Sequence, residues 1–401
     1  MFIKEVRSKI VRNSRKEKTI QVMIKTYKGT FVSSAPSGKS KGKYEVESFN
    51  ERGVKKSLEL LKKFSKMLNE KSFVIKKFDD LREFENKIKG FENSYGALGG
   101  NVIYALETAF LKAAAKDNNK ELWEFIIEDK GKFKAPMPIG NCIGGGMHSR
   151  LVNGKKPDFQ EFLLIPDEKT FSRAVTKNID AYYFAKSLLK KQDKKWIVKV
   201  NDEGAWMTGL SNEDALKVLK QVGDEYGLRI GIDIAASSFF KNKYYHYENK
   251  RLIRDRVEQI DYMEHLIKKY DLFYVEDSLD EEDFSGFYQV TNTSKPALIV
   301  GDDLTVTNPK RVERATRGKA INAMIIKPNQ IGSLIDVKKV VDICKKHKIK
   351  MIFSHRSGET MDDAIADYCV GFQGDFIKTG IYGRERLIKL RRVMEIEKSL
   401  K

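Results

Sequence analysis

Short apolar runs that end at polar or charged residues recur through the second half of the chain and constrain its fold most strongly. The runs are residues 197–200, 230–232, 272–275, 298–301, 324–326, 351–353 and 376–377. From Glu276 onward their ends lie roughly 25 residues apart, which is the length of one strand plus one crossover helix. Together with the run at 162–165 they predict an eight-stranded (β/α)8 barrel of the TIM type, whose polar strand ends meet at one mouth.

The segments between these runs show helix signals. Ser211 is followed three residues later by Asp214, which resembles a capping box, and Gly227 ends the apolar helical spacing of the segment. Tandem near-identical repeats are absent from the sequence, so the period indicates a barrel and not a solenoid.

The first third of the chain has a different organisation. Residues 19–26 alternate between apolar and polar and predict a half-buried strand, with 31–34 as its hairpin partner. Apolar residues at helical spacing predict helices at 54–68 and 101–115. The two prolines within 135–138 then break the helical pattern. We therefore expect an α/β protein with an N-terminal α+β capping domain over 1–130 and the barrel over 131–401.

Composition limits the class of protein without naming its function. The 401 residues are 41% hydrophobic, and no run of 18 uncharged apolar residues occurs, so we expect neither a membrane span nor a secretory signal. The 3 cysteines show no metal or disulfide spacing, which favours a reducing cytoplasm. A net charge of +19 attracts polyanions and phosphorylated substrates. Because the lysines are spread along the whole chain, a nucleic-acid partner is possible but not expected.

Residues that suit metal and anion chemistry follow the apolar runs. Three acids end successive runs, at Asp233, Glu276 and Asp302. Three converging carboxylates repel one another unless a hard cation binds their oxygens, and Mg²⁺ is the usual choice. The next run ends supply the cationic or potentially cationic residues Lys327, His355, Arg356 and Lys378. Acids on one side and bases on the other indicate a site for a phosphorylated carboxylate.

The segments around these residues resemble the enolases. The most specific strings are IVGDDLTVTNPKR (299–311), IIKPNQIGS (325–333), FSHRSGETMDDAIADYCVG (353–371) and IKTGIYGRER (377–386). Shorter matches are APSGKSKGKYE (35–45), GGNVIYALETA (99–109), APMPIGNCIGGGMH (135–148), DFQEFLLIP (158–166), NDEG (201–204), IDIAASSFF (232–240) and YVED (274–277). The resemblance covers essentially the whole chain.

This resemblance implies a lyase, a phosphopyruvate hydratase of the carbon–oxygen hydro-lyase class. Such an enzyme interconverts 2-phosphoglycerate and phosphoenolpyruvate in glycolysis and gluconeogenesis. Proton removal next to a carboxylate forms an enolate on an already anionic substrate, and Mg²⁺ must hold that charge. Two Mg²⁺ ions per site are expected, in a cytoplasmic homodimer, with a higher oligomer possible.

The resemblance also implies a role for individual residues. The implied metal ligands are Asp233, Glu276 and Asp302 for the first Mg²⁺, and Ser40 for the second. Lys327 is the implied general base, with a pKa lowered by neighbouring cations such as Lys378. Glu203 is the implied general acid, supported by Glu161.

The remaining implied residues bind or enclose the substrate. Those for substrate binding are Gln160, Ser40, Arg356, Ser357 and Lys378. His148 would close over the site from a mobile loop, and His355 joins the catalytic set through its SHRSG context. Other interpretations stay open, with Ser40 as a turn hydroxyl, His148 as a solvent-facing residue and Glu161 as a barrel carboxylate paired with a lysine.

Several loops depart from the enolase pattern. The family's GDEGG corresponds here to residues 201–205, which read NDEGA and precede Trp206. Where the family has SGASTG, this chain has SGKSKG. Where the family has DSRGNPT, this chain has NSRKEKT, which keeps Arg15. The stretch between His148 and Glu161 is a few residues longer than in the family. These changes predict slower or looser closure of the site.

Two other classes of function compete with this interpretation. Acid-sugar dehydratases and racemases of the wider superfamily carry a Lys-x-Lys pair on an early strand, whereas this chain has Lys199-Val200-Asn201. A degenerate paralogue that acts as a scaffold or as a basic nucleic-acid binder would explain the charge and the altered loops. The complete set of acid, base and metal ligands argues against such decay.

Overall fold

The computed structural model describes residues 1–39, 41–129, 133–192 and 196–400. The predicted ligand Ser40 and the predicted domain boundary between residues 130 and 131 lie outside the described residues. No helix in the described ranges is both long and apolar enough to cross a membrane.

The N-terminal part is an antiparallel sheet packed against helices. Its elements are β1 (Phe2–Arg12), β2 (Lys18–Thr26), β3 (Gly29–Ser34), α1 (Val54–Leu68), β4 (Lys71–Ser72), α2 (Leu81–Tyr95), α3 (Gly100–Asp117) and α4 (Leu122–Ile126). The strand order is β3-β2-β1-β4. Ile20, Val22 and Ile24 share one face of β2 and are fully buried, as their alternation predicts. The predicted strands and both predicted helices are confirmed.

The C-terminal part alternates strands and helices. Its first elements are β5 (Met137–Gly144), β6 (Glu161–Ile165), α5 (Phe171–Gln192), β7 (Trp206–Met207), α6 (Asn212–Tyr226), β8 (Arg229–Asp233), β9 (Phe240–Lys241), β10 (Tyr244–Tyr247), β11 (Leu252–Arg254) and α7 (Arg256–Tyr270). They are followed by β12 (Tyr274–Glu276), α8 (Phe284–Thr293), β13 (Leu298–Gly301), α9 (Pro309–Arg317), β14 (Ala323–Ile326), α10 (Pro328–Ile331), α11 (Leu334–His347), β15 (Lys350–Ser354), α12 (Ala364–Gly371), β16 (Phe376–Lys378) and α13 (Arg384–Ser399).

Eight of these strands close into a barrel. The order is β5-β6-β8-β12-β13-β14-β15-β16, and β16 pairs back with β5. Apolar side chains fill its interior, namely Ile139, Leu163, Ile165, Tyr274, Val300, Ala323, Ile325, Ile352 and Phe376. The predicted fold class is confirmed. The helix predicted from Ser211 is also present, since the Ser211 side chain accepts a hydrogen bond from the N–H of Asp214.

One predicted barrel strand is wrong. Residues 197–200 form only an isolated bridge between Val200 and Trp206, and the side chains of Ile197 and Val198 are about half exposed. The eighth barrel strand is instead β5, which begins at Met137 within the proline-containing segment 135–138. A short apolar run such as 197–200 can form either a buried strand or an exposed loop, and the sequence pattern does not distinguish the two. Strand β5 consists mainly of the small and apolar residues that are typical of a buried strand.

Strand β6 runs antiparallel to both its neighbours. Its first residue, Glu161, therefore pairs in register with Asp233, the last residue of β8. Because of this reversal, a carboxylate at the amino end of one strand reaches the mouth formed by the carboxyl ends of the others.

Helix α3 of the N-terminal part packs against helices of the barrel. The hydroxyl groups of Thr108 and Tyr368 are hydrogen-bonded at 2.8 Å, and both side chains are fully buried. Glu107 accepts a hydrogen bond of 2.8 Å from the N–H of Leu334 at the start of α11. The two parts of the chain are therefore joined by buried polar contacts as well as by apolar packing.

We expect Tyr368→Phe to destabilise the protein by about 1–3 kcal/mol, because it leaves the buried hydroxyl of Thr108 without this partner. The measurement is the denaturant midpoint in urea. The matched control is the double variant Tyr368→Phe with Thr108→Val, which removes both polar groups and should recover part of the loss. Equal midpoints for the wild type and Tyr368→Phe would show that this hydrogen bond contributes nothing.

Candidate active site

Residues predicted from distant parts of the sequence line one cavity at the barrel mouth. Those that line it are His148, Gln160, Glu161, Glu203, Asp233, Asp302, Lys327, His355, Arg356, Ser357 and Lys378. Glu276 does not line the cavity itself but is fully buried and contacts Lys378, which does. The structure thus brings together every described residue that the sequence assigned to the site.

Lys378 binds three carboxylates at the base of this cavity. Its Nζ atom lies 3.1 Å from Asp233 Oδ2, 2.7 Å from Glu276 Oε2 and 3.1 Å from Glu161 Oε2. Burial and the neighbouring Asp233 raise the pKa of Glu276 to about 8. Burial and Glu203 raise the pKa of Glu161 well above its usual value. Three ionised carboxylates would carry more negative charge than one ammonium group neutralises, and the raised pKa values of Glu276 and Glu161 reflect that excess.

The buried carboxylates fit a divalent cation. Oδ1 of Asp233 and Oε1 of Glu276 are buried and have no hydrogen-bond partner among the described residues. Oxygen atoms of Glu276, Asp277 and Asp302 lie within 4.8 Å of one another. Orphaned, buried carboxylate oxygens are costly, and oxygen is the ligand atom that Mg²⁺ prefers. Asp277 is an additional carboxylate that the sequence reasoning did not select.

Asp277 also holds the loop that follows β13. Its carboxylate accepts hydrogen bonds from the N–H groups of Asp302 (3.0 Å) and Asp303 (2.8 Å). This contact fixes the backbone from which the Asp302 side chain projects. The string YVED contains Asp277 directly after Glu276, but only the first acid after this apolar run entered the predicted set of ligands.

Lys327 forms an ion pair with Asp302. Burial lowers the pKa of the Lys327 amine most strongly, but Asp302 and Glu276 raise it, and the net result is a pKa above the usual value. The sequence-based expectation of a lowered pKa is therefore wrong for this arrangement. The cations Arg356 and Lys378 do act in the expected direction, but more weakly than Asp302.

Glu203 lies on a turn before β7, between two histidines. Its carboxylate is 3.4 Å from His148 Nδ1 and 3.9 Å from His355 Nε2, and it accepts a hydrogen bond of 3.1 Å from Asn141 Nδ2. Burial raises the pKa of Glu203, but His148 and His355 outweigh it and hold the pKa well below its usual value. Glu203 and Glu161 therefore have pKa values displaced in opposite directions, as in an acid–base pair.

His148 is buried and is not a solvent-facing loop residue. Its Nδ1 atom lies 3.9 Å from Glu161 as well as 3.4 Å from Glu203. The longer stretch between His148 and Glu161 does not displace the histidine from the site. Within this stretch, residues 152–155 form a turn closed by a bridge between Val152 and Lys155.

The turn of Glu203 accommodates the bulky residues that follow it. The ring of Trp206 stacks on that of Tyr182 at 4.6 Å, and its Nε1 atom donates to the carbonyl oxygen of Tyr182. Gly204 has a φ of 83°, and a Cβ atom there would lie 2.5 Å from the carbonyl oxygen of Tyr382. Only glycine fits at that position.

The N-terminal part supplies polar groups to the predicted phosphate site. Glu45 pairs with the Arg356 guanidinium at 3.0 and 3.1 Å. Ser357 Oγ accepts hydrogen bonds from Arg15 Nη1 (2.9 Å) and from the N–H of Lys39 (2.8 Å). Sequence reasoning did not select Glu45, although it ends the string APSGKSKGKYE. The role of Glu45 becomes visible only in the structure, through its contact with Arg356 of the barrel.

Arg386 is a further residue that the sequence reasoning missed. Its guanidinium lies 2.8 Å from His355 Nδ1 and donates to the carbonyl oxygens of Arg356 (2.6 Å) and Ser357 (2.7 Å). It therefore fixes the segment that presents His355 and the predicted phosphate ligands. Its place at the end of the specific string IKTGIYGRER was the available signal.

Fold and site together define a TIM-barrel enzyme in which buried carboxylates and cations line one cavity at the barrel mouth. The family model for the enolase C-terminal TIM barrel domain matches residues 132–401, and the model for the enolase N-terminal domain matches 3–126. The chain belongs to the enolase family. It is accordingly a lyase, a phosphopyruvate hydratase, and the family implies dependence on Mg²⁺.

Full-length relatives support this assignment. The enolase of Methanosphaera stadtmanae is 37% identical over 99% of this chain and 97% of its own. The enolase of Picrophilus torridus is 34% identical over 99% of both chains. The enolase of Methanothermobacter thermautotrophicus is 35% identical over 100% of this chain and 97% of its own.

We expect Asp302→Asn to abolish the thermal stabilisation that Mg²⁺ gives the wild type. A cation that binds only the folded state raises its melting temperature, and this variant removes a charged ligand. The ligand role of Asp302 is the predicted one, and the measurement that tests it is the melting temperature with Mg²⁺ and with EDTA. Asp342→Asn is a suitable control, because Asp342 is an exposed helix residue and should leave the Mg²⁺ effect unchanged. Undiminished stabilisation in Asp302→Asn would place the metal elsewhere.

Proposed function

We propose that the chain carries out the reversible dehydration of 2-phosphoglycerate to phosphoenolpyruvate in glycolysis and gluconeogenesis through a Lys base and a Glu acid. The observation that carries this proposal is the convergence of Lys327 and Glu203 on one cavity between the carboxylates and the cations. A base that removes a proton from the substrate and an acid that protonates its leaving group can therefore both act in this cavity.

Asp233, Glu276 and Asp302 are the proposed ligands of the first Mg²⁺, with Ser40 for a second. Bound there, Mg²⁺ supplies positive charge that stabilises the enolate. The support from this chain is the pair of buried carboxylate oxygens without hydrogen-bond partners in the described part of the structure.

Lys327 is the proposed general base. A base must first lose its proton, and the ion pair with Asp302 opposes that loss. Lys327 can therefore act only when the charge of Asp302 is engaged by another partner. Like-charge repulsion from Arg356 and Lys378 then favours the neutral amine.

Glu203 is the proposed general acid, with Glu161 and His148 in support. Because His148 and His355 hold the pKa of Glu203 low, Glu203 must first take up a proton from these neighbouring side chains before it can deliver one to the departing hydroxide. The raised pKa of Glu161 makes it a proton-carrying neighbour, and His148 contacts both carboxylates. His355 contacts Glu203 from the other side.

The proposed substrate ligands lie around the same cavity. They are Arg356 and Ser357 for the phosphate, Lys378 for the carboxylate, and Gln160 with Ser40 as further polar contacts. An incoming phosphate would compete with Glu45 for the guanidinium of Arg356. Bidentate binding to arginine suits a phosphate group.

The resemblance also underlies the proposals of a cytoplasmic location and of a homodimer, with a higher oligomer possible. The alternative of a degenerate scaffold or nucleic-acid binder is disfavoured, because the described acid, base and metal-binding residues all lie at one cavity. Another superfamily lyase is disfavoured by the family match over both domains.

A coupled assay for phosphoenolpyruvate tests the proposed reaction. We expect 2-phosphoglycerate to be converted in the presence of Mg²⁺ and the conversion to stop in EDTA, because the enolate then lacks its counter-charge. Replacing EDTA with its Mg²⁺ complex provides the control. Absence of conversion by the folded protein with Mg²⁺ would refute the proposal.

The two proton-transfer roles are separable by NMR of 2-phosphoglycerate in D₂O with Mg²⁺. We expect Lys327→Ala to lose both turnover and exchange of the α-hydrogen, because no base remains in reach. Glu203→Gln should lose turnover but keep exchange, because glutamine cannot donate a proton to hydroxide. Glu161→Gln shows whether its proton is needed as well.

Two results would overturn the assignment of roles. One is exchange that persists in Lys327→Ala. The other is exchange that disappears in Glu203→Gln while the substrate still binds.

A further inference from the structure

Asn201 departs from the family pattern at the turn that carries Glu203, and its side chain has contacts in two directions. Its Oδ1 atom accepts hydrogen bonds from the N–H groups of Glu203 (2.9 Å) and Ala205 (3.0 Å). Its own N–H donates to the carbonyl oxygen of Ala205 at 2.9 Å. One side chain therefore closes the turn from within, as asparagine does in an Asx turn.

The other end of the Asn201 amide reaches the loop of His148. Nδ2 lies 3.4 Å from Oγ of Ser149, the residue that follows His148. His148 in turn contacts the Glu203 carboxylate at 3.4 Å. The contacts form a closed circuit from Asn201 through Glu203, His148 and Ser149 back to Asn201.

Gly144 on β5 leaves room for this amide. A Cβ atom at residue 144 would lie 2.1 Å from Asn201 Nδ2 and 3.1 Å from Ser149 Oγ. The amide is therefore packed against the backbone of a barrel strand, which restricts where it can point. A glycine at position 201 could supply neither the hydrogen bonds to the turn nor the contact to the loop.

We propose that Asn201 is a positioning residue that holds the Glu203 carboxylate in register with His148. The inference rests on the proposed role of Glu203 as the general acid. Proton delivery depends on the placement of the donor within a fraction of an ångström, whereas binding of the substrate by other walls of the cavity does not. Asn201 should therefore affect the acid step selectively.

The test compares turnover with α-hydrogen exchange in D₂O for Asn201→Gly. We expect turnover to fall about 10- to 100-fold, while exchange, which depends on Lys327, and KM stay near the wild-type values. Asn201→Asp keeps the acceptor but loses the amide donor, so it should recover part of the turnover. If Asn201→Gly does not fold, Asn201→Asp and Ser149→Ala carry the comparison.

Ser149→Ala removes the loop contact alone and should reduce turnover less than Asn201→Gly. The double variant should be no slower than Asn201→Gly, since both changes act through one circuit. Asn50→Gly is the matched control. Its Oδ1 accepts from the N–H of Arg52 and its Nδ2 donates to the carbonyl oxygen of Ala97, away from the cavity. That variant should lower stability without changing the ratio of exchange to turnover.

The outcomes separate this inference from the proposed function. An equal fall of turnover and exchange in the Asn201 variants, or an unchanged ratio in an active protein, would overturn the positioning role alone. A wild-type protein without turnover would overturn the proposed reaction and the inference with it.

Discussion

The buried ion cluster around Lys378 is the interaction on which the site depends. One ammonium group contacts Asp233, Glu276 and Glu161, which come from three different strands of the barrel. Buried charges destabilise a protein unless they are paired, so these strands must hold their register for the cluster to be tolerated. The antiparallel course of β6 is part of that requirement, because it alone brings Glu161 to the mouth.

The remaining negative charge gives the site its chemistry. Some of the buried carboxylate oxygens have no hydrogen-bond partner in the described structure, and a bound cation would compensate their charge. Lys327 compensates part of the negative charge by pairing with Asp302. The same ion pair opposes loss of the proton from Lys327. On the proposed roles of Asp302 as a metal ligand and Lys327 as the base, metal binding and loss of the lysine proton are linked through one carboxylate.

The N-terminal domain contributes side chains to the site at the mouth of the barrel. Glu45, Arg15 and Lys39 contact Arg356 and Ser357 across the domain boundary. The N-terminal domain also contacts the turn that carries Glu203, because Lys39 pairs with Asp202 at 3.0 Å. Lys39, one of the two lysines that SGKSKG has and SGASTG lacks, therefore links the two domains.

The sequence by itself determined the barrel, the α+β domain and most of the residues at the mouth, because strand ends fall at regular intervals and buried strands need apolar runs. It did not distinguish the exposed run 197–200 from β5, since both are short and burial is set by the surrounding chain. The contacts of Glu45, Asn201 and Arg386 and the raised pKa of Lys327 were decided only by tertiary structure. Each depends on which distant groups lie within a few ångströms, and no local pattern specifies that distance.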